Sequence, residues 1–298
     1  MSSVASVKDR LKNRSKETGK TMQELFTLYG LERTIYRLSI SRYAANFTLK
    51  GGIFLYALFD GNYARATTDI DFLAQKISNE TEDMKAVFTE IFTIDADDPL
   101  RFDLDTLVVI SITEFKKYHG VNVYVMAYLD KTRIPISIDI GFGDIVYPDR
   151  VEMDFPVVLS DESPRVYAYS STSSIAEKFE AIVSLAYDNS RFKDYYDIYV
   201  LAKERDFDGT ELSEALKETF KNRHTTMDEI VAFEDGFADE AIRQSRWNSF
   251  VKKKKPLLHI SLEEAIDGIK IFLLPVINAI TAGETFEKRW NCKEKKWY

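Results

Sequence analysis

The sequence has 298 residues, of which 45% are hydrophobic and 30% charged, and its formal net charge is −8 at pH 7. This length and apolar content suffice for a sizeable core and suit two domains, or one domain with a large appendage. The acidic balance excludes a chain that coats nucleic acid over its whole surface, and the single cysteine, Cys292, excludes internal disulfides and a cysteine-based structural zinc site.

The first half of the chain predicts helices followed by strands. Apolar residues recur at helical spacing between residues 7 and 42, and Gly30 predicts a break between two helices there. The pattern then predicts a short helix over residues 53–59, a short strand over 70–73, a longer strand over 121–129 and a hairpin around 130–133.

The second half is predicted to be mainly helical. Residues 148–164 combine proline, acidic residues and turn formers, which marks a connection between two regions. Helical patterns follow over residues 173–188, 193–203, 212–222 and 262–281. We therefore predict an α/β (α+β) fold, with a mixed sheet in residues 1–155 and a helical C-terminal domain in residues 156–298.

The sequence also gives an expectation of where in the cell the protein lies. Residues 1–16 are polar and lack the apolar core of a secretory signal. The longest apolar stretch, residues 271–280, is too short to span a bilayer and contains Pro275. Together with the single cysteine, these features predict a cytoplasmic protein with no membrane partner.

Asp69 and Asp71 lie two positions apart in the segment D-I-D. On a strand this spacing points both carboxylates to one face and turns Ile70 into the core. Two adjacent carboxylates repel each other unless a cation lies between them, and Mg²⁺ accepts such oxygen ligands beside phosphate oxygens. Asp139, which alternates with isoleucines in I-S-I-D-I-G-F, is a candidate third ligand. The alternative is a strand end whose carboxylates face water.

A glycine pair, Gly51 and Gly52, precedes the short predicted helix, and Lys50 lies beside it. Such a turn brings backbone amides close to an anion, and the helix dipole favours negative charge there. A plain turn is the alternative. The order of glycine pair, helix and acidic pair is similar to the nucleotidyltransferase β-polymerase superfamily, in which the glycines hold nucleotide phosphates and the aspartates hold Mg²⁺.

Ordered blocks of the sequence resemble the abortive-infection AbiEii toxins of the AbiE type IV toxin–antitoxin systems. The blocks are L-K-G-G, R-A-T-T-D-I-D, I-D-I-G-F-G-D and S-I-A-E-K-F-E through R-F-K-D-Y-Y-D, and the resemblance extends to W-N-S-F at Trp247. It implies a nucleotidyltransferase-like region in residues 1–155 and a Mg²⁺-dependent transfer of a nucleotide from GTP or CTP to an RNA, with tRNA favoured. It also implies phage resistance and a cognate antitoxin that acts mainly at transcription.

The resemblance further implies roles for individual residues. The implied catalytic residues are Asp69, Asp71, Lys178, Asp194 and Asp197. The implied nucleotide-binding residues are Lys50, Gly51, Gly52, Arg65, Thr68, Lys178, Lys193 and Asp197. The implied metal ligands are Asp69, Asp71 and Asp139. Since Asp194 and Asp197 are neighbours on a helix, we expect one to orient Lys193 or Lys178 while the other meets substrate. Without the family pattern, Lys178 reads as an ordinary solvated lysine.

Other polar features have simpler explanations. The four lysines at 252–255 form either a solvated surface or a contact for RNA phosphates. Residues 293–298 are predicted to be a frayed tail, and the serines before Ile175 are predicted to cap the helix that carries Lys178. The resemblance makes Thr67 or Thr68 a candidate regulatory site.

Two alternatives to this transferase remain at the level of sequence. One is a nucleotide-dependent binding protein that sequesters its target without catalysis. The other is an antibiotic-modifying nucleotidyltransferase, which shares the superfamily chemistry but fits the blocks in the second half poorly.

Overall fold

The computed structural model describes residues 3–63, 67–114, 118–159, 162–254 and 258–298. The chain divides into two compact units. The described residues of the first unit fall within Met1–Tyr63, Thr67–Gly143 and Val151–Ala168, and those of the second within Asp144–Arg150 and Tyr169–Tyr298.

The first unit combines helices with a large sheet. Its helices are α1 (Val4–Thr18), α2 (Met22–Ser39), α3 (Gly51–Leu58) and α4 (Thr81–Thr93). Its strands are β1 (Phe47–Lys50), β2 (Ile70–Ala74), β3 (Arg101–Glu114), β4 (Tyr118–Leu129), β5 (Thr132–Phe142), β6 (Val151–Asp154) and β7 (Arg165–Ala168).

These seven strands form one sheet in the order β3-β4-β5-β2-β1-β7-β6. β2 pairs with β5 and β1 with β7 in parallel, whereas the other neighbouring pairs are antiparallel. The sheet is therefore mixed, as predicted. The sequence-based boundary between residues 155 and 156 precedes β7, whose pairing with β1 places it in the first unit.

The predicted helix break at Gly30 is wrong. α1 instead ends at Gly19, whose φ of 70° caps the helix, and Thr21 and Glu24 start α2 with a reciprocal capping box. Gly30 lies inside α2, where a Cβ atom would stand 2.6 Å from Cγ2 of Ile134 on β5. This glycine permits close packing of a helix on the sheet, which a sequence pattern does not distinguish from a break.

The second unit is mainly helical. Its elements in chain order are α5 (Ser171–Leu185), α6 (Phe192–Glu204), β8 (Phe207–Asp208), α7 (Gly209–Arg223), α8 (Ala241–Lys254), α9 (Leu262–Ala282), β9 (Arg289–Asn291) and β10 (Lys296–Trp297). Ser170 caps α5 by accepting a hydrogen bond from the backbone N–H of Ser173, which confirms the predicted role of the serine run.

The C-terminal segment is part of the core of this unit, so the predicted frayed tail is wrong. Trp297 is 8% exposed, and its Nε1 donates a hydrogen bond to the carbonyl of Phe272 at 2.9 Å. Its ring also stacks on that of Phe272 with centroids 5.6 Å apart. The segment covers apolar surface of α9 that would otherwise face water.

α9 is long and apolar enough to cross a membrane by length and composition, with a mean hydropathy of 1.6 over its most apolar window. The helix extends well beyond residues 271–280, the apolar stretch that by itself is too short to span a bilayer. However, 44% of that window is buried inside the protein, and α9 packs against α6 and α7. A core helix of a soluble protein passes the same test, so this helix is weak support for a membrane span.

Candidate active site

Three aspartates of the first unit converge at the junction of β2 and β5. The parallel register of these strands places Asp71 directly beside Asp139, and Asp69 immediately precedes β2. One carboxylate oxygen from each aspartate lies within 4.8 Å of the others, and all three side chains are half-buried. The structure thus brings together the three residues predicted as metal ligands.

Asn122 on β4 supports this cluster from the neighbouring strand. It lies opposite Asp139 in the antiparallel register, and its Nδ2 donates a hydrogen bond of 2.7 Å to Oδ1 of Asp139. The same nitrogen lies 2.8 Å from Oγ of Ser137. Asn122 therefore holds the orientation of a predicted ligand. Sequence reasoning missed this residue, because its role depends on the register between two strands.

The glycine turn lies against the same cluster. β1 ends at Lys50, which is opposite Asp71 in the β1–β2 register, and α3 begins at Gly51. Gly51 has a φ of 65°, and a Cβ atom there would lie 2.0 Å from Oδ2 of Asp71. Only glycine satisfies both the backbone angle and this approach. The start of α3, including Gly52, is thereby held beside the acidic cluster.

The threonines before the acidic pair differ in exposure. Thr68 is exposed, and its backbone N–H and hydroxyl lie 3.3 and 3.4 Å from Oδ1 of Asp69. Thr67 is buried, and its hydroxyl donates to the backbone carbonyl of Asp69. Thr68 is therefore the more accessible of the two candidate regulatory residues. Arg65, predicted to bind nucleotide, lies outside the described residues.

The remaining predicted residues lie in the second unit, around Lys178 on α5. Lys178 is 7% exposed, so the expectation of an ordinary solvated lysine is wrong. Its Nζ donates to Oδ2 of Asp197 at 2.7 Å and to Oδ1 of Asp194 at 3.1 Å. Nε of Arg191 binds the other oxygen of Asp194 at 2.7 Å. We call Lys178, Arg191, Asp194 and Asp197 the lysine cluster.

The lysine cluster differs in one respect from the sequence-based expectation. Asp194 and Asp197 are fully buried on α6, and both carboxylates bind Lys178, rather than one orienting a lysine while the other faces outward. Burial of two carboxylates requires such charge pairing, because an uncompensated buried charge is costly. Lys193, also predicted to bind nucleotide, is half-buried on the same helix.

The mixed sheet, the glycine turn and the acidic cluster together define a nucleotidyltransferase-like protein. A sequence model described as "Nucleotidyl transferase AbiEii toxin, Type IV TA system" matches residues 33–268. Because this match spans most of the chain, the chain belongs to the AbiEii family of nucleotidyltransferase toxins of type IV toxin–antitoxin systems. The predicted family is confirmed.

This chain is similar to two solved structures from Helicobacter pylori, and it shares the fold of the first. A candidate nucleotidyltransferase from this organism is 15% identical, with a TM-score of 0.52, over 90% of this chain and 100% of that chain. The protein JHP933 from the same organism is 16% identical, with a TM-score of 0.49, over 88% of this chain and 95% of that chain. No curated protein matches the sequence. The predicted fold class is confirmed by the sheet topology and by the first of these structures.

Proposed function

We propose that this chain is a metal-dependent toxin enzyme that transfers a nucleotide from a nucleoside triphosphate, GTP or CTP, to an RNA acceptor, with tRNA as the favoured class. The observation that carries the proposal is the convergence of the Asp69, Asp71 and Asp139 oxygens within 4.8 Å beside the Gly51 turn. A fold alone does not require three acids and an anion-binding turn at one place.

The donor set fits a divalent cation. Three half-buried carboxylates this close repel one another, so a cation between them lowers the free energy of the folded site. The ligand atoms are all oxygens, as Mg²⁺ prefers. A Mg²⁺ ion held by Asp69, Asp71 and Asp139 would neutralise charge on the triphosphate and help ionise the acceptor hydroxyl.

The chain's own groups bind and orient the substrates. The backbone N–H groups at Gly51 and Gly52 donate to phosphate oxygens at the start of α3, where the helix dipole favours negative charge. Lys50 adds a positive charge beside the turn. The acceptor oxygen forms a bond to the α-phosphorus, the bond to the departing pyrophosphate breaks, and a carboxylate of the cluster accepts the hydroxyl proton.

The lysine cluster is proposed to serve substrate binding in the second unit. Lys178 binds a substrate phosphate, while Asp194 and Asp197 position its ammonium group through their hydrogen bonds. Arg191 and Lys193 are further cations on or beside α6. These assignments follow from the family resemblance together with the burial of the pair of aspartates.

A transfer assay tests the proposal. The purified protein is incubated with each radiolabelled triphosphate, total RNA and Mg²⁺, and labelled RNA is separated by electrophoresis. Asp71→Asn keeps the size of the side chain but removes one charge, so label transfer should fall at least about 100-fold. Asp105→Asn, at an exposed position on β3, is the matched control and should transfer at the wild-type rate. Equal transfer by Asp71→Asn and wild type would contradict the metal site.

The cellular context follows from the same proposal. A transferase of this kind acts where its RNA acceptor lies, so we propose a cytoplasmic location. Its cognate antitoxin is proposed to act mainly at transcription, and the pair is proposed to serve in phage defence. Thr68 is the proposed regulatory position, because it is exposed and contacts Asp69.

A further inference from the structure

α8 has an unusual charge for this protein. Its sequence, AIRQSRWNSFVKKK, contains five cationic residues and no acidic residue, whereas the whole chain has a net charge of −8. Arg243 is buried and pairs with Glu240, whereas the exposed Arg246, Lys252 and Lys253 give this helix a local positive charge on an otherwise acidic molecule. Such a local stripe, and not the total charge, is what a polyanion encounters at close range.

Packing decides which half of α8 faces water. Arg243 and Trp247 are buried, and the ring of Trp247 lies 6.1 Å from that of Phe192 on α6. The ring of Phe250 lies 5.9 Å from that of Tyr196 on the same helix. Residues at this spacing share one helix face. The residues of α8 outside this face are thereby presented to solvent in a fixed orientation.

The solvent-exposed residues of α8 are of the types that contact nucleic-acid backbones. Arg246, Lys252 and Lys253 are exposed. Small polar side chains lie along the same helix beside Lys252, and those of Gln244, Ser245, Asn248 and Ser249 are all exposed. Arginine, lysine, serine, asparagine and glutamine side chains supply most hydrogen bonds to phosphate and sugar oxygens. We call this surface the α8 face.

α8 is held in the second unit by its packing on α6, through Trp247 and Phe250. The exposed cations of α8 lie outside this contact, so the packing fixes the direction in which they point. The α8 face is therefore part of a packed helix with a fixed orientation.

We propose that the α8 face binds the sugar–phosphate backbone of RNA and serves as the docking surface for the acceptor. The inference rests on the proposed function, which supplies the RNA. An acidic protein partner fits less well, because among the described residues of this face Ile242, at 57% exposure, is the one large apolar side chain. Protein interfaces are held mainly by buried apolar and aromatic anchors.

The test compares two matched triple variants of the full chain. Arg246→Gln, Lys252→Gln and Lys253→Gln neutralise the α8 face. Arg10→Gln, Lys12→Gln and Lys16→Gln remove the same three charges from exposed positions on α1, where acidic residues are interspersed. All six side chains are exposed, so both proteins should fold, as circular dichroism will show.

Fluorescence anisotropy with a labelled tRNA mixture and a single-stranded oligoribonucleotide measures binding from low to moderate salt. The α8 variant should bind about tenfold more weakly at 0.1 M salt, and its salt slope should be shallower by about 2, close to the value for three lost phosphate contacts. The α1 variant should bind like wild type. Equal losses in both variants, or unchanged binding by the α8 variant, would overturn the inference. Equal competition by polyglutamate would overturn it as well, in favour of a general acidic partner.

The outcome is separable from that of the proposed function. Asp71→Asn should bind RNA with wild-type affinity, since it leaves the α8 face intact. If wild type transfers no nucleotide but the α8 variant alone loses RNA binding, the transferase proposal fails and the docking surface stands. If wild type transfers nucleotide while neutralising α8 changes neither binding nor transfer, the docking surface fails alone.

Discussion

Asp71 is held between two neighbours that have different chemical roles. On one side its carboxylate lies beside that of Asp139, and on the other it occupies the space where a side chain at position 51 would stand. The glycine turn and the acidic cluster therefore cannot move independently. A substitution at position 51 tests this relation directly.

Gly51→Ala should destabilise the protein by more than the backbone angle alone explains. The new Cβ would lie 2.0 Å from Oδ2 of Asp71, so either the turn or the carboxylate must shift. Gly19→Ala is the matched control, because its φ of 70° is nearly the same and a Cβ atom added there would meet no atom within 4 Å. The control should cost about 1 kcal/mol and Gly51→Ala at least about 2 kcal/mol, measured by urea unfolding. Equal costs would show that Asp71 does not constrain the turn.

Glu32 on α2 is a buried acid that should make stability depend on pH. It is fully buried, its Oε2 accepts a 2.6 Å hydrogen bond from the N–H of Val158, and burial raises its pKa to about 7 from 4.5. The folded state therefore binds a proton that the unfolded state releases between these values. The resulting stabilisation is complete below pH 4.5 and is lost as the pH rises through 7.

Glu32→Gln should remove this part of the pH dependence. The amide oxygen can still accept from Val158, but the side chain no longer ionises. Relative to wild type, the variant should gain up to about 3 kcal/mol of unfolding free energy between pH 5 and pH 8. Urea unfolding at both pH values measures this gain, with Glu17→Gln on the exposed face of α1 as control. A constant difference between variant and wild type at the two pH values would contradict the prediction.

At the scale of secondary-structure elements, Lys178 joins two helices. It projects from α5 and binds two carboxylates of α6, so its removal leaves two buried acids short of one positive charge. Lys178→Met should cost about 3–5 kcal/mol of unfolding free energy. Lys217→Met removes a partly exposed ion pair with Glu214 and should cost less than about 1 kcal/mol.

A double variant separates charge from packing at this junction. Lys178→Met combined with Asp197→Asn removes one of the two buried negative charges, so it should recover part of the loss. If the double variant recovers no unfolding free energy, packing of the aliphatic part of Lys178, and not its charge, stabilises the contact between the helices. If Lys178 binds phosphate, Lys178→Met should lose more affinity for the triphosphate than for the bare nucleoside. Calorimetric titration of variant and wild type with both ligands measures the two losses.

The elements near the site could largely be predicted from the sequence, because their patterns are local. The short helix after Gly52 and the strand at Ile70 are present as α3 and β2. β3 and α4 were not predicted. The alternation along β3 is interrupted by a change of register between Asp103 and Val108, which breaks the period of two. β9 and β10 have three and two residues, too few to produce any period.

In the candidate site, too, local patterns predict some features, whereas others depend on how strands and helices pack. The spacing of Asp69 and Asp71 and the alternation around Asp139 predict three carboxylates close together, and the structure brings them together. The pairing of Asn122 with Asp139 depends on strand register. The double pairing of Lys178 depends on how α5 packs against α6. Neither contact has a local signature in the sequence.

For the whole molecule, growth of a bacterial host separates a transferase from a protein that sequesters its target. Induction of the wild-type chain alone should arrest growth, and Asp71→Asn at the same soluble level should not, because the proposed transfer reaction needs the acidic cluster. Asp105→Asn controls for the loss of an exposed charge. Growth is followed by optical density and colony counts.

The sequestering alternative makes the opposite prediction. If the protein acts by binding alone, the Asp71→Asn variant should remain toxic. The variant in which Arg246, Lys252 and Lys253 are neutralised should lose its toxicity. Undiminished toxicity of Asp71→Asn would therefore remove the catalytic account of growth arrest. Loss of toxicity in both variants is the result expected of an enzyme that docks its acceptor on α8.

The contact between Gly51 and Asp71 also has a thermodynamic consequence. A phosphate held by the turn and a cation held by the acidic cluster act on the same few atoms, so the two ligands share one coupling free energy. Whatever factor the cation adds to the affinity for triphosphate, the triphosphate must add to the affinity for the cation. Under the proposed function, linkage of this kind would let the triphosphate concentration govern how fully the cation site is filled.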